Sequence, residues 1–305
     1  MKKFTFDFYD KSSLKIYNLN ESMRYQLAIL DSLDAYTRKH SENVANLTCR
    51  ICGYLHKDEG FTAFATTCAY LHDIGKSSIP ARILQKQGPL TDDEYEIMKQ
   101  HPSLGNNICL KDPELKMYRA GALYHHEALD GSGYPQGLKK SQIPYEGQII
   151  RVADEFDAIV SKRQYKSHVN ISDALEIVVK NSRPSSLMQR HGKTNPEIVR
   201  ALVKVVIDDT AYEIFSLESY ISEIKEDIKR VKKALSYKKT ADKSRSQKKK
   251  NYYLNGYNMY LLPTEKNQNM SIALDELSVN LHSRKKDLSS LRKELKKIKL
   301  LRLGV

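Results

Sequence analysis

The chain has 305 residues, of which 40% are hydrophobic and 29% charged, and a net charge of +13. That length can bury a substantial core, and it exceeds one average domain without reaching three. No window approaches the roughly 18 consecutive apolar residues of a spanning helix, and "MKKFTFDFYDKSSLK" has no apolar stretch behind its lysines, so a membrane span and a signal peptide are excluded and a cytoplasmic location is expected.

The charge is uneven. From Ala211 onward 22 Lys and Arg stand against 11 Asp and Glu, a net of +11, which leaves +2 for the first 210 residues. Residues 1–20 alternate apolar and polar at Phe4, Phe6 and Phe8 and read as a short strand or an arm on the body. Helical periodicity then dominates to about residue 207. Val44, Leu47, Ile51 and Leu55 mark one helix, and Cys49 and Cys52 lie inside its pattern. They read as small buried hydrophobes rather than a redox or zinc pair, and four cysteines make no disulfide framework. Thr91-x-x-Glu94 is a capping box predicting a helix to about His101, and Asp112-Pro113 predicts the start of another that ends in His125 and His126. With no convincing strand, the body is expected to be all-α.

Behind it Leu217, Ile221, Ile224, Ile228, Val231 and Leu235 form a heptad seam, and Leu274, Leu277, Leu281, Leu288, Leu291, Leu295 and Ile298 form a second, broken at Arg284. The expected geometry is a coiled-coil-like hairpin or two helices pairing across a homodimer. Between them, residues 238–268 hold "KSRSQKKK" and a tyrosine-rich stretch. A solvated linker is favoured there over nucleic-acid binding, although lysines interleaved with tyrosines keep the second reading open. The organisation is therefore an arm at 1–20, a helical body at 21–210 and a basic helical extension at 211–305.

Five of the nine histidines fall into four clusters: His40, His72 beside Asp73, His101, and His125 beside His126. Asp154 follows, with Asp157 one turn later. A single such histidine reads as structural. Together, near predicted helix ends, they form the imidazole and carboxylate set that Fe, Mn, Zn or Ni accepts. Asp73 can bridge two cations, and adjacent imidazoles pointing about 100° apart suit two metals, or a metal and a substrate group, better than one flat contact. Lys76, four residues past His72, faces the same pocket if the helix continues, and a lysine beside cations calls for a shared anion such as phosphate. Two metals and a phosphate fit in-line displacement at phosphorus. In "DGSGYP", Gly131 and Gly133 permit positive φ or close backbone approach, Asp130 can cap local amides, and Tyr134 can stack on a ligand.

"HDIGK", "HHE…DGSGYP" and "VADEFDA" in this order, with His40 before and His101 between, resemble the HD-GYP domain, a branch of the HD phosphohydrolases that cleaves cyclic di-GMP. The likeness runs from about residue 21 to 207 and includes "IPARILQKQGPLTDDEYEIMKQHPSLG". It implies an HD-type helical bundle with HD-GYP additions and a centre of iron or manganese. His40, His72, Asp73, His101, His125, His126 and Asp154 would be the ligands, with Asp73 bridging. Asp73 and Lys76 would serve catalysis, and Lys76, Gly133, Tyr134, Arg163 and Lys166 would meet the substrate. Tyr36 stands where three-metal members have glutamate, so two metals are expected. Ala128 and Arg163-Gln164 depart from the usual basic residue and arginine-proline pair, which bears on substrate affinity. The implied reaction opens cyclic di-GMP to pGpG, with further cleavage to GMP left open. Two alternatives remain: hydrolysis of another cyclic dinucleotide such as cyclic GMP-AMP, and a receptor that binds a dinucleotide and signals through the tail.

Overall fold

The structure is a computed structural model that describes residues 35–161, 170–186, 190–265 and 268–301, with 25–26, 28–29 and 32. The residues 1–20 arm, Arg163 and Lys166 lie outside them. Val44, Ile51 and Cys52 are spaced to share one face, and that face is fully buried in helix α1, Ala35–Tyr54. Helix α2, Glu59–Tyr70, starts where the Asp58 carboxylate accepts the Phe61 N–H at 2.8 Å. There follow α3 (Ala81–Leu84), α4 (Asp92–Met98), α5 (His101–Lys111), α6 (Arg119–Tyr124), α7 (Tyr145–Ser161) and α8 (Ile171–Asn181), then α9 (Pro196–Lys243), α10 (Gln247–Met259) and α11 (Met270–Leu301). Among the described residues there is no strand, only an isolated bridge between Asp130 and Lys139. The all-α reading holds, and no described helix is long and apolar enough to cross a membrane.

The capping box forms as expected, with Thr91 and Glu94 satisfying each other's backbone amides, but its helix ends at Met98 and a new one begins at His101. Asp112 caps only a turn, accepting the Glu114 N–H at 2.9 Å, and the helix before the histidine pair starts later, at Arg119. Residues 74–78 form a 3-10 turn, so Lys76 is not one α-turn beyond His72.

The residues divide into two units. One holds the chain to Ile207 with the end from Lys297, and the other is Asp208–Lys296. In the first, α1, α2, α7, α8 and the start of α9 close around Ile51, Cys68, Ile150, Leu175 and Val203, all fully buried. Each large aliphatic side chain buried this way contributes roughly 1.5–3 kcal/mol. Ile298, near the end of the chain, is fully buried in the same core. The cysteines are free, and burial pushes the Cys52 thiol up to about 12 and that of Cys109 to about 11, so both stay protonated.

In the second unit Ile221, Ile224 and Val231 of the first seam are buried. Arg292 pairs with Glu218 at 2.5 Å, whereas Arg230, further along α9, pairs with Glu265, before α11. The partner number falls as the α9 number rises, so the two arms of this helical hairpin run antiparallel. The segment read as a linker is largely helical: α9 continues to Lys243 and α10 occupies Gln247–Met259, with Tyr237 stacked on Tyr260 at 5.7 Å.

Candidate metal centre

Five segments deliver the candidate donors. His40 comes from the middle of α1, His72 and Asp73 from the turn after α2, His101 from the first residue of α5, His125 and His126 from just beyond α6, and Asp154 from α7. A glycine lets the second and third meet. A Cβ on Gly75 would lie 1.9 Å from the His101 carbonyl oxygen and 2.5 Å from the Gly105 nitrogen, so only hydrogen fits between turn and helix.

The side chains converge around the Asp73 carboxylate. Its Oδ2 lies 3.2 Å from His72 Nε2 and 3.7 Å from His40 Nε2, and its Oδ1 lies 3.4 Å from His101 Nε2 and 4.0 Å from His125 Nε2. Asp154 approaches His40 Nε2 at 3.0 Å through Oδ1 and His126 Nδ1 at 3.9 Å through Oδ2. His40, His72 and Asp73 thus form one tight donor group and His101, His125 and His126 another, with Asp73 facing both.

Proton bookkeeping on the rings shows what these groups fit. His72 Nδ1 lies 2.7 Å from the Ala69 carbonyl, His101 Nδ1 2.8 Å from that of Met98, and His125 Nδ1 2.9 Å from those of Gly121 and Ala122. A carbonyl only accepts, so each Nδ1 carries a proton and each ring turns its Nε2 inward, bare on the neutral rings of His101 and His125. His72 Nε2 is buried without a hydrogen-bond partner, 3.2 Å from the Asp73 carboxylate. His101 and His125 bring two bare nitrogens within 3.1 Å. Lone pairs opposed to lone pairs, buried, fit cations between them. The donors, all imidazole and carboxylate with no thiolate, match Fe, Mn, Zn or Ni.

Charge follows the same logic. Burial lowers His101 to about 4 and His126 to about 3, against the pull of Asp73 and Asp154 respectively, so both stay neutral at pH 7. Burial and the neighbouring His126 hold His125 well below its usual value. Against burial, the carboxylates of Asp154 and Asp157 raise His40 to about 10. Burial alone would raise Asp73 and Asp154, but the histidines, with Lys76 at Asp73, hold both carboxyls below the ordinary range.

Among the expected substrate residues, Lys76 donates to Asp73 Oδ2 at 2.6 Å, a bond the 3-10 turn makes possible at a spacing of three residues. Tyr134 stacks on His126 at 4.6 Å, and burial raises its hydroxyl pKa. Gly133 is wedged against backbone: a Cβ there would lie 2.3 Å from the Ala128 nitrogen and 2.5 Å from the His126 carbonyl oxygen. Its place is explained by packing of the turn. Asp130 accepts the Ser132 N–H at 3.0 Å, capping the turn as expected.

Three supporting residues received no role from the sequence. Asp157 binds His40 Nδ1 at 2.7 Å and accepts from Asn43 at 3.1 Å, leaving Nε2 to face inward. Its three-residue distance from Asp154 on a helix was the available signal. Glu127 is 1% exposed and accepts the Gln136 and Leu138 N–H groups at 2.7 and 2.8 Å, tying the Gly-Tyr-Pro turn back to the histidine pair. Arg151 also donates to the His126 carbonyl at 3.0 Å.

A helical body that collects buried imidazoles and carboxylates around one shared aspartate defines a protein built for a metal centre. The chain belongs to the HD domain family, whose model matches residues 24–186. It is 42% identical over 186 residues to a cyclic di-GMP phosphodiesterase of Thermotoga maritima, covering 59% of this chain and 48% of the relative. It is 34% identical over 181 residues to a cyclic di-GMP phosphodiesterase of Pseudomonas aeruginosa, covering 59% and 42%. A 3'3'-cGAMP-specific phosphodiesterase of Vibrio cholerae is 34% identical over 178 residues, covering 58% and 37%. The chain spans less than half the length of these curated relatives.

Proposed function

We propose that this chain is an HD-GYP phosphodiesterase that uses two metal ions, iron or manganese, to hydrolyse cyclic di-GMP to pGpG. The observation that carries the reading is the Asp73 carboxylate set between two histidine groups, with the bare nitrogens of His101 and His125 opposed to each other. His40, His72, Asp73 and Asp154 would hold one ion, and Asp73, His101, His125 and His126 the other. When bound, such a pair supplies Lewis acidity, lowering the pKa of a water and offsetting charge on a phosphoryl group.

The protein's own groups have definable tasks. Backbone carbonyls and Asp157 fix the ring orientations, so the donors need no reorganisation. Lys76 keeps an ammonium at the Asp73 carboxylate, where a phosphate oxygen can share its protons. Tyr134 presents a half-buried ring and a neutral hydroxyl beside His126. Arg163 and Lys166 are proposed to hold the substrate's phosphates. The two relatives from Thermotoga maritima and Pseudomonas aeruginosa that carry the cyclic di-GMP name support this substrate over others.

The test is hydrolysis by anaerobically purified protein loaded with Mn²⁺ or Fe²⁺, followed by chromatography, with metal content measured on the same sample. Cyclic di-GMP turned to pGpG is the expected result. Binding without turnover would refute the phosphodiesterase reading in favour of a receptor. The Vibrio cholerae relative gives a second reading, hydrolysis of cyclic GMP-AMP, and a tenfold preference for that dinucleotide in the same assay would establish it. For the tail we propose pairing of two chains, because Ile272 and Val279 on α11 are 56% and 71% exposed. Mass in solution that stays monomeric at high concentration would rule this out.

A further inference from the structure

Helix α4 has no buried residue, so core packing does not explain its place. It is nevertheless held firmly: the capping box closes its first turn, and Glu94 also pairs with Lys86 from the preceding loop. Tyr95 and Lys99 stand four residues apart and therefore share one side of it. The Lys99 ammonium lies 5.8 Å from the Tyr95 ring and 5.6 Å from the Tyr134 ring, which in turn stacks on His126 at 4.6 Å. A continuous series of flat rings and one cation thus leads outward from a candidate metal ligand to Tyr95, which is 49% exposed.

A lysine folding back on a tyrosine of its own helix is commonplace. Reaching the tyrosine of a different segment at the edge of the metal centre is not explained by that habit. The carboxylate partner of Lys99 is Glu96, at 2.9 Å, and its side chain is 66% exposed. Such a surface pair is weak, and an incoming phosphate can replace it.

We propose that Tyr95 and Lys99 form a second subsite, which holds the part of a cyclic dinucleotide remote from the phosphodiester being cut. This rests on the phosphodiesterase reading above. A cyclic dinucleotide carries two phosphodiesters and two aromatic bases. One phosphodiester belongs at Asp73 and Lys76, so the remaining half presents one anion and flat rings. Lys99 answers the anion, and the half-exposed face of Tyr95 answers a base by stacking.

The experiment compares the metal-loaded wild type with Lys99→Gln, Lys99→Arg and Tyr95→Leu, on cyclic di-GMP and on bis(p-nitrophenyl) phosphate, a diester with no second phosphate. Losing one charge-assisted contact should raise KM for the dinucleotide about ten- to hundredfold, with kcat held within about threefold. Lys99→Arg should recover most of the loss, and the small diester should be affected far less. If the wild type cleaves the dinucleotide and the variants match it, the subsite is wrong and the phosphodiesterase reading stands. Equal losses on both diesters, or loss of bound metal, would also overturn the subsite. A wild type that cleaves the small diester but neither binds nor cleaves a cyclic dinucleotide would overturn both.

Discussion

Replacing Gly75 with alanine should disconnect the metal centre while leaving the protein folded. The added Cβ would meet the His101 carbonyl oxygen at 1.9 Å and the Gly105 nitrogen at 2.5 Å. Both are backbone atoms of α5, so neither can rotate away, and the turn must retreat by more than about 1 Å to restore ordinary contact. That retreat carries Asp73 away from His101, whose Nε2 lies only 3.4 Å from Oδ1. Overpacking of this kind costs about 1–3 kcal/mol, less than the about 5–15 kcal/mol that stabilises a typical domain. Displaced donors lose about ten- to hundredfold in metal affinity, comparable to loss of a supporting contact around a metal. Metal content after dialysis, and the rise in melting temperature on adding Mn²⁺, measure the effect. The wild type should retain metal and gain stability, and Gly75→Ala should do neither fully. A variant that binds the same metal with the same thermal gain would refute the argument that this close approach positions the centre.

Asp157→Ala should weaken metal binding about ten- to hundredfold in a competition titration, because His40 loses the carboxylate at 2.7 Å that fixes its ring. Metal-free protein should be most stable near pH 6.5. Below that the unfolded chain takes up protons that His101 and His126, lowered to about 4 and about 3, refuse, so stability falls with falling pH. Above it the stability contributed by His40, raised to about 10, is lost as pH climbs towards 10. Urea melts of chelated protein from pH 4 to 10 should trace this maximum, and a monotonic rise would contradict it. Ile298→Ala should destabilise the first unit by about 2–5 kcal/mol in thermal or urea unfolding, since the side chain is fully buried in its core. Met259→Ala, at a position 84% exposed, should change stability by no more than about 0.5 kcal/mol.

Periodicity of apolar residues was enough to read an all-α body, two heptad seams and the capping box at Thr91, because each depends on neighbours within a turn or two. The residue types of the seven candidate donors were legible as well, since buried imidazole and carboxylate sets have few other uses. Helix ends read less well: the Thr91 helix stops at Met98, the helix before His125 begins at Arg119, and "HDIGK" closes a 3-10 turn. These ends are decided by what packs against them. Contact between Asp73 and His101, the grip of Asp157 on His40 and the nearness of Lys99 to Tyr134 join residues 28 to 117 positions apart or lying on separate segments. Local spacing carries no information about such distances. Nor could the linker reading of 238–268 anticipate α10, whose Tyr253 and Gly256 pack against Tyr237. Local preference chose the elements, while close packing between distant backbones chose which side chains share a site.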